Sequence, residues 1–146
     1  MISTTYLSSS STPWTSDALE ALLAQSRSSN AEDDVTGVLL YSGGSFLQTL
    51  EGPAQAVDAV MARVQADPRH TGVDVLRRED IAEREFAGWS MGFRQLPADR
   101  VEDIPGFTDY LRTGHVEGAT ARRAVDTFHR MFRDQMADPL QPRDQG

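Results

Sequence analysis

The chain contains no cysteine. Disulfides, cysteine-ligated metals and thiol nucleophiles are therefore excluded, and a cytoplasmic location is the expectation. No apolar run approaches the roughly 18–20 residues that a membrane span needs, so no membrane partner is expected. The opening residues, Met1-Ile2-Ser3-Thr4-Thr5-Tyr6, lack the basic stretch and apolar core of a signal peptide. Positive charge is scarce: 14 Lys and Arg stand against 22 Asp and Glu, for a net charge of −8. That argues against nucleic acid as a partner, because nonspecific binding draws on clustered basic residues. The three histidines, His70, His115 and His129, lie far apart and show no metal-ligand spacing, so no metal is expected. No internal repeat or low-complexity tract breaks the chain.

What is present is an ordinary balance of 39% hydrophobic and 25% charged residues over 146 positions, enough for one compact domain and a short extension. Residues 2–7 read as a strand with Ile2, Thr4 and Tyr6 on one face, followed by a serine-rich loop over 8–12. Ser16 is a candidate N-cap for a helix over about 17–28, with Asp17 and Glu20 in its first turn and Leu19, Leu22, Leu23 and Ser26 at helical spacing. Residues 30–34 read as a polar connection. The apolar run 35–41 suits a central strand covered on both faces. Gly43-Gly44 turns the chain into a hairpin with residues 46–52. Pro53 is expected at the first position of a second helix whose stripe is Val57, Val60, Met61 and Val64, ended by Asp67-Pro68. Residues 73–78 form a fourth strand and 79–85 a loop. Residues 89–93 form a fifth strand with Trp89, Met91 and Phe93 on one face. The order β-α-β-β-α-β-β predicts an α+β, ferredoxin-like sheet with two helices on one face.

After Leu96 the composition changes. Residues 97–106 are polar with two prolines, 107–111 suggest a brief helix broken by Gly114, and 119–136 form a clearer one. Its apolar stripe is Ala124, Val125, Phe128, Met131, Phe132 and Met136, with Arg122, Arg123, Arg130 and Arg133 beside it. Such a stripe must be covered. The expectation is docking on the open face of the sheet or on a second copy, with recruitment of another protein by part of the stripe as a lesser alternative. The division expected is therefore 1–96, 97–138 and a disordered tail over 139–146.

One segment, Phe46-Leu47-Gln48-Thr49-Leu50-Glu51-Gly52, points to chemistry. Strand alternation puts the Gln48 amide on the face of Phe46 and Leu50. A buried amide without partners costs about 1–3 kcal/mol. Its donor and acceptor suit a ligand with carbonyl and ring-nitrogen edges. Taken alone, a half-buried edge-strand glutamine bonded to backbone or water is the better explanation of the position. Inward Tyr6, Trp89 and Met91 are by themselves core residues, Asn30 a helix C-cap, and Arg69 with His70 a solvated turn.

Joint spacing alters that weighing. Tyr6-Leu7-Ser8-Ser9, then Ser26-Arg27 with Asn30, Val35-Thr36-Gly37-Val38-Leu39-Leu40-Tyr41, the Gln48 segment, Asp67-Pro68-Arg69-His70 and Trp89-Ser90-Met91-Gly92-Phe93 occur in order and at fitting distances. The pattern, over about two thirds of the chain, resembles the BLUF domain, a flavin-binding blue-light sensor. The resemblance implies a flavin between the two helices, FAD as the usual form with FMN or riboflavin as alternatives. It assigns Tyr6 as electron and proton donor and Gln48 as the amide between donor and flavin. Asn30 would bond the ring edge, and Arg69 and His70 would lie near the ribityl and phosphate end. Trp89 and Met91 would be the pair whose placement near Gln48 changes with light. Ser29 stands where the family often has asparagine or histidine, and Asp33-Asp34 is an acidic departure. The implied function is a reversible, red-shifting photoreceptor that is not an enzyme. Its output would pass through a homo-oligomer or a separate downstream protein. The alternatives are a light-inert flavin or oligomerisation module and, less favoured, an acylphosphatase-like hydrolase. The latter lacks the expected arginine and glycine in residues 8–12.

Overall fold

The computed structural model describes residues 1–10 and 14–137, and side chains as far as 134. Five strands, β1 (Ile2–Ser10), β2 (Thr36–Ser42), β3 (Ser45–Gly52), β4 (His70–Asp80) and β5 (Gly92–Gln95), form one sheet in the order β4-β1-β3-β2-β5. Helices α1 (Ser16–Asp33) and α2 (Ala54–Ala66) are the crossovers of the ferredoxin-like plan. A 3-10 turn (Ala98–Asp103), α3 (Phe107–Thr113) and α4 (Gly118–Ala137) follow. All pairings are antiparallel except β2 with β5.

Strand alternation sorts the core into two layers. Ile2, Tyr6, Leu39, Tyr41, Phe46 and Leu50 face α1 and α2, where they meet Leu19, Leu23, Val57 and Met61. Leu7, Val38, Leu40 and Leu47 point the other way, onto Ala121, Ala124, Phe128 and Phe132 of α4. The expected docking of the C-terminal stripe on the open sheet face is thus what the chain does. Fully burying each such phenylalanine contributes about 1.5–3 kcal/mol. The short α3 is tied down by the Tyr110 hydroxyl, which donates to the Gly72 carbonyl at 2.8 Å.

Several boundaries differ from expectation, each for a tertiary reason. Residues 8–10 continue β1 instead of looping, because Ser8 and Ser9 pair with Phe46 and Ser45 while Ser10 pairs with His70. Neighbours on both sides outweigh the weak strand propensity of serine. The remainder of that expected loop lies outside the described residues, as do the side chain of Met136 and the 139–146 tail. Helix α1 begins at Ser16, so Thr15 is the N-cap, its hydroxyl accepting from the Ala18 N–H at 3.1 Å. The helix also runs on through the expected connection, since Asn30 is buried on its inner side and Asp34 supplies the left-handed terminus at φ 59°. Pro53 is the residue before α2 and not its first helical residue.

The largest correction concerns residues 89–93. Of these, only Gly92 and Phe93 belong to β5, and residues 86–91 form no regular element. Strand alternation therefore does not apply across them. Met91 and Phe93 lie on the α1/α2 side, whereas Trp89 lies beneath the sheet, edge-on to Phe132 at 5.8 Å between ring centroids. The indole folds back over Gly92, where a Cβ would fall 1.6 Å from its ring, so only glycine fits.

Candidate functional site

The register of the central strand builds the site. Gln48 on β3 pairs with Tyr6 on β1 and Leu39 on β2, so its side chain emerges in the middle of the sheet toward α1 and α2. The Tyr6 hydroxyl donates to Gln48 Oε1, and Gln48 Nε2 donates to Met91 Sδ at 3.4 Å. Tyr6 is 1% exposed, and burial pushes its phenol well above the ordinary range. It therefore keeps its proton and presents it to the one amide oxygen in reach.

Above this pair, α1 and α2 leave a cleft. Its inner part, about 70 Å³, has Tyr6, Leu39, Phe46 and Gln48 of the sheet on one side and Leu22, Asn30, Val60 and Val64 of the helices on the other. An outer part of about 170 Å³ continues from Asn30 to Arg63, Asp67, Arg69 and His70. Both halves share Leu22, Ser26, Asn30, Val60, Val64 and His70, so they form one channel. Leu22, Val60 and Val64 belong to the helical stripes yet stay only half-buried, because they face the channel.

The channel combines the Gln48 and Asn30 amides inside, apolar side chains along it, and Arg63 and Arg69 with Asp67 at the mouth. Amides complement the alternating donors and acceptors of a uracil-like ring edge. Aliphatic walls suit a flat ring, and guanidinium groups suit phosphate. The donor set therefore fits a flavin nucleotide. At the mouth, Arg69 is held by Asp67, with Nε 3.1 Å from both carboxylate oxygens and a second guanidinium nitrogen at 2.7 Å. It also lies 5.1 Å over the Trp14 ring. Hydrogen bonding to Arg69 holds the Asp67 carboxyl at about 2. His70 Nδ1 is 3.1 Å from Ser8 Oγ, and burial lowers its basicity.

A set of polar contacts fixes the non-strand segment that carries Met91. Asn30 Nδ2 donates to the Ser90 carbonyl at 3.0 Å, and Arg27 Nε to the Met91 carbonyl at 3.1 Å. The Gly37 N–H donates to the Trp89 carbonyl at 3.0 Å. The buried Glu51 carboxylate accepts from the N–H groups of Glu85 and Phe86 at 3.0 and 2.9 Å, and burial, the larger effect, raises its pKa despite those bonds. The Trp89 indole N–H is buried without a partner among the described residues.

Of the seven residues singled out from sequence, Tyr6, Asn30, Gln48 and His70 meet in the inner cleft, Met91 contacts Gln48, and Arg69 stands at the mouth. Trp89 does not join them. Arg63, Glu51, Glu85 and His129 escaped the sequence reading. Glu51 carried a usable signal, since strand alternation places it with Leu47 and Thr49 on a face that must be covered. Glu85 and His129 carried none, being 44 residues apart and joined only by folding.

A family model described as "BLUF: Sensors of blue-light using FAD" matches residues 1–92. The chain is 33% identical over 108 residues to the photoactivated adenylate cyclase subunit beta-like protein FB of Euglena gracilis, covering 73% of this chain and 12% of that protein. It therefore spans only a small part of that relative's length. Among solved structures, "BlrB – a BLUF protein" in its dark state superposes with a TM-score of 0.71 at 28% identity, over 91% of this chain and 95% of that one. BlsA in its photo-activated state gives 0.64 at 25% identity, over 97% and 98%.

Proposed function

The chain belongs to the BLUF family, sensors of blue light using FAD, and on that premise we propose that Tyr6 and Gln48 are its photoactive pair and Met91 the dark-state partner of the Gln48 amide. The observation that carries this is the hydrogen-bond sequence from the Tyr6 hydroxyl through Gln48 Oε1 and Nε2 to Met91 Sδ. Asn30 would hold the ring edge, and Arg63, Arg69 and His70 the ribityl and phosphate end. FAD held there would supply blue-light absorption and an excited-state electron acceptor.

The chain's own residues do the rest. Tyr6 gives up one electron and the proton it directs at Gln48 Oε1. The protonated amide is then free to rotate or tautomerise, because its other bond, to a thioether sulfur, is weak. Electron and proton return to Tyr6, leaving no net redox change but a Gln48 amide with altered donors and acceptors. That rearrangement shifts the absorption to the red. Met91 loses its amide donor, and the segment 86–91 carries the change beneath the sheet, where Trp89 meets α4. The unpartnered indole N–H lowers the cost of moving Trp89 from its place.

In this reading residues 1–96 are the photosensor and 97–138 its output extension. The extension has no catalytic role of its own; it passes the signal through self-assembly or a separate protein, in the cytoplasm. No helix among the described residues is long and apolar enough to cross a membrane. The test is an absorption spectrum of the FAD-loaded chain before and after blue light. A red shift that decays in the dark is expected. A flavin spectrum indifferent to light would refute the reading in favour of a light-inert module.

A further inference from the structure

His129 is 3% exposed and takes no part in the chemistry above. It projects from α4 into the underside of the sheet. Its Nε2 lies 2.8 Å from Thr49 Oγ1, and its Nδ1 lies 2.9 Å from Glu85 Oε2. Thr49 Oγ1 is in turn 2.6 Å from Thr5 Oγ1 across the β1–β3 pair. Both threonines are fully buried. They are the chain neighbours of Gln48 and Tyr6, on the opposite face of the same two strands. Glu85, the other partner, is clamped through its own N–H to Glu51 of β3, and it begins the segment that ends in Met91. One imidazole therefore touches both the strand that bears Gln48 and the segment that bears its sulfur acceptor.

Proton bookkeeping gives this contact a direction. A carboxylate can only accept, so Nδ1 carries a proton and donates to Glu85. In the neutral ring Nε2 is then an acceptor. The Thr49 hydroxyl must donate to it, and the Thr5 hydroxyl donates to Thr49. If the ring gains a second proton, Nε2 becomes a donor. Thr49 then accepts from it, which frees the Thr49 proton to turn toward Thr5, the hydroxyl beside it, and reverses the chain.

Resting on the photoreceptor reading, we propose that His129 is a positioning residue joining the C-terminal helix to the photoactive strands, and that gain of a proton by its imidazole reverses the Thr49–Thr5 hydroxyl chain and changes the lifetime of the light-shifted state. The groups that face it are Glu85 from the 81–91 segment, Arg77 from β4 and Arg133 from its own helix. Arg133 pairs with Glu85, and Arg77 with Asp126. Burial is the largest influence and lowers the His129 pKa, with Glu85 opposing it and both arginines adding to it. The switch therefore operates on the acid side of an ordinary histidine.

The experiment uses the full chain loaded with FAD. Imidazole nitrogen NMR in the dark, as a function of pH, is expected to show a neutral His129 with its proton on Nδ1 and a midpoint below that of an exposed histidine. Dark recovery of the red-shifted absorption is expected to change severalfold across that midpoint. In His129→Gln, which keeps a polar atom near Thr49 but cannot titrate, recovery should become flat with pH. In Glu85→Gln, which preserves shape and removes the opposing charge, the midpoint should move further down. His70 also titrates near the cofactor, so a pH dependence that survives His129→Gln overturns the proposal. An unmoved midpoint in Glu85→Gln overturns it too, and remains decisive if His129→Gln fails to fold. Were the loaded chain to show no light response, the photoreceptor reading would fall by itself. The dark spectra would still judge the joint: a proton on Nε2, or a solvent-like midpoint, refutes it.

Discussion

The bond between Tyr6 and Gln48 can be weighed by a double-mutant cycle. Gln48→Leu keeps the volume of the side chain and suits the slot between Phe46 and Leu50. It also strands the Tyr6 hydroxyl, which is 1% exposed and donates to Gln48 Oε1. A buried group left unpaired costs about 1–3 kcal/mol. The leucine recovers on the order of 1 kcal/mol of apolar burial. The bond from Gln48 Nε2 to Met91 Sδ is long and contributes little. A net loss of up to roughly 2 kcal/mol is therefore expected for the single variant. Tyr6→Phe strands the amide oxygen instead and should cost ~1–2 kcal/mol for the same reason. The double variant removes both partners together, which is close to neutral when shape is kept, so its loss should not exceed that of either single. The resulting coupling energy is at least about 1–2 kcal/mol. Urea unfolding followed by tryptophan fluorescence measures all four proteins. The FAD concentration must be fixed, since ligand that binds only the folded chain adds to apparent stability. Losses that simply sum in the double variant would refute the reasoning, because the hydroxyl and the amide would then be energetically independent. The three variants also test the photochemistry: each should retain bound flavin, and none should form the stable red-shifted state.

Cutting the chain after Leu96 removes α3 and α4 and exposes Leu7, Val38, Leu40, Leu47 and Trp89; the fragment should keep its flavin cleft but elute larger or precipitate, and unchanged size and solubility on gel filtration would contradict the docking energetics. Asp67 has a folded pKa of about 2, below its unfolded value. Its contribution to stability is therefore complete above roughly pH 4 and is lost as the pH falls toward 2. Asp67→Asn should remove that part of the acid limb when urea midpoints are compared across this window. It should also weaken FAD retention at the mouth by loosening Arg69, which equilibrium dialysis would register.

Several features of this protein follow from the chain without its fold. Strand alternation is a local property of the backbone, so the inward faces of Tyr6, Gln48, Phe46 and Leu50 could be read directly, as could the helical stripes of α1, α2 and α4. Six segments in order, from Tyr6-Leu7-Ser8-Ser9 to Trp89-Ser90-Met91-Gly92-Phe93, carried the resemblance to the family, and the resemblance implied the cofactor. Tertiary contacts decided the rest. Serine strands and polar helix ends formed where neighbours satisfied their backbone, as at Ser8–Ser10 of β1 and residues 29–33 of α1. Trp89 and Met91 went to opposite sides of the sheet because residues 86–91 are held by Glu51, Asn30, Arg27 and Gly37 and not by a strand ladder, so parity had no hold on them. Glu85 and His129 became partners only when α4 docked. Local periodicity sets which way a side chain faces, whereas a buried hydrogen bond between distant residues depends on packing that brings both groups out of water together.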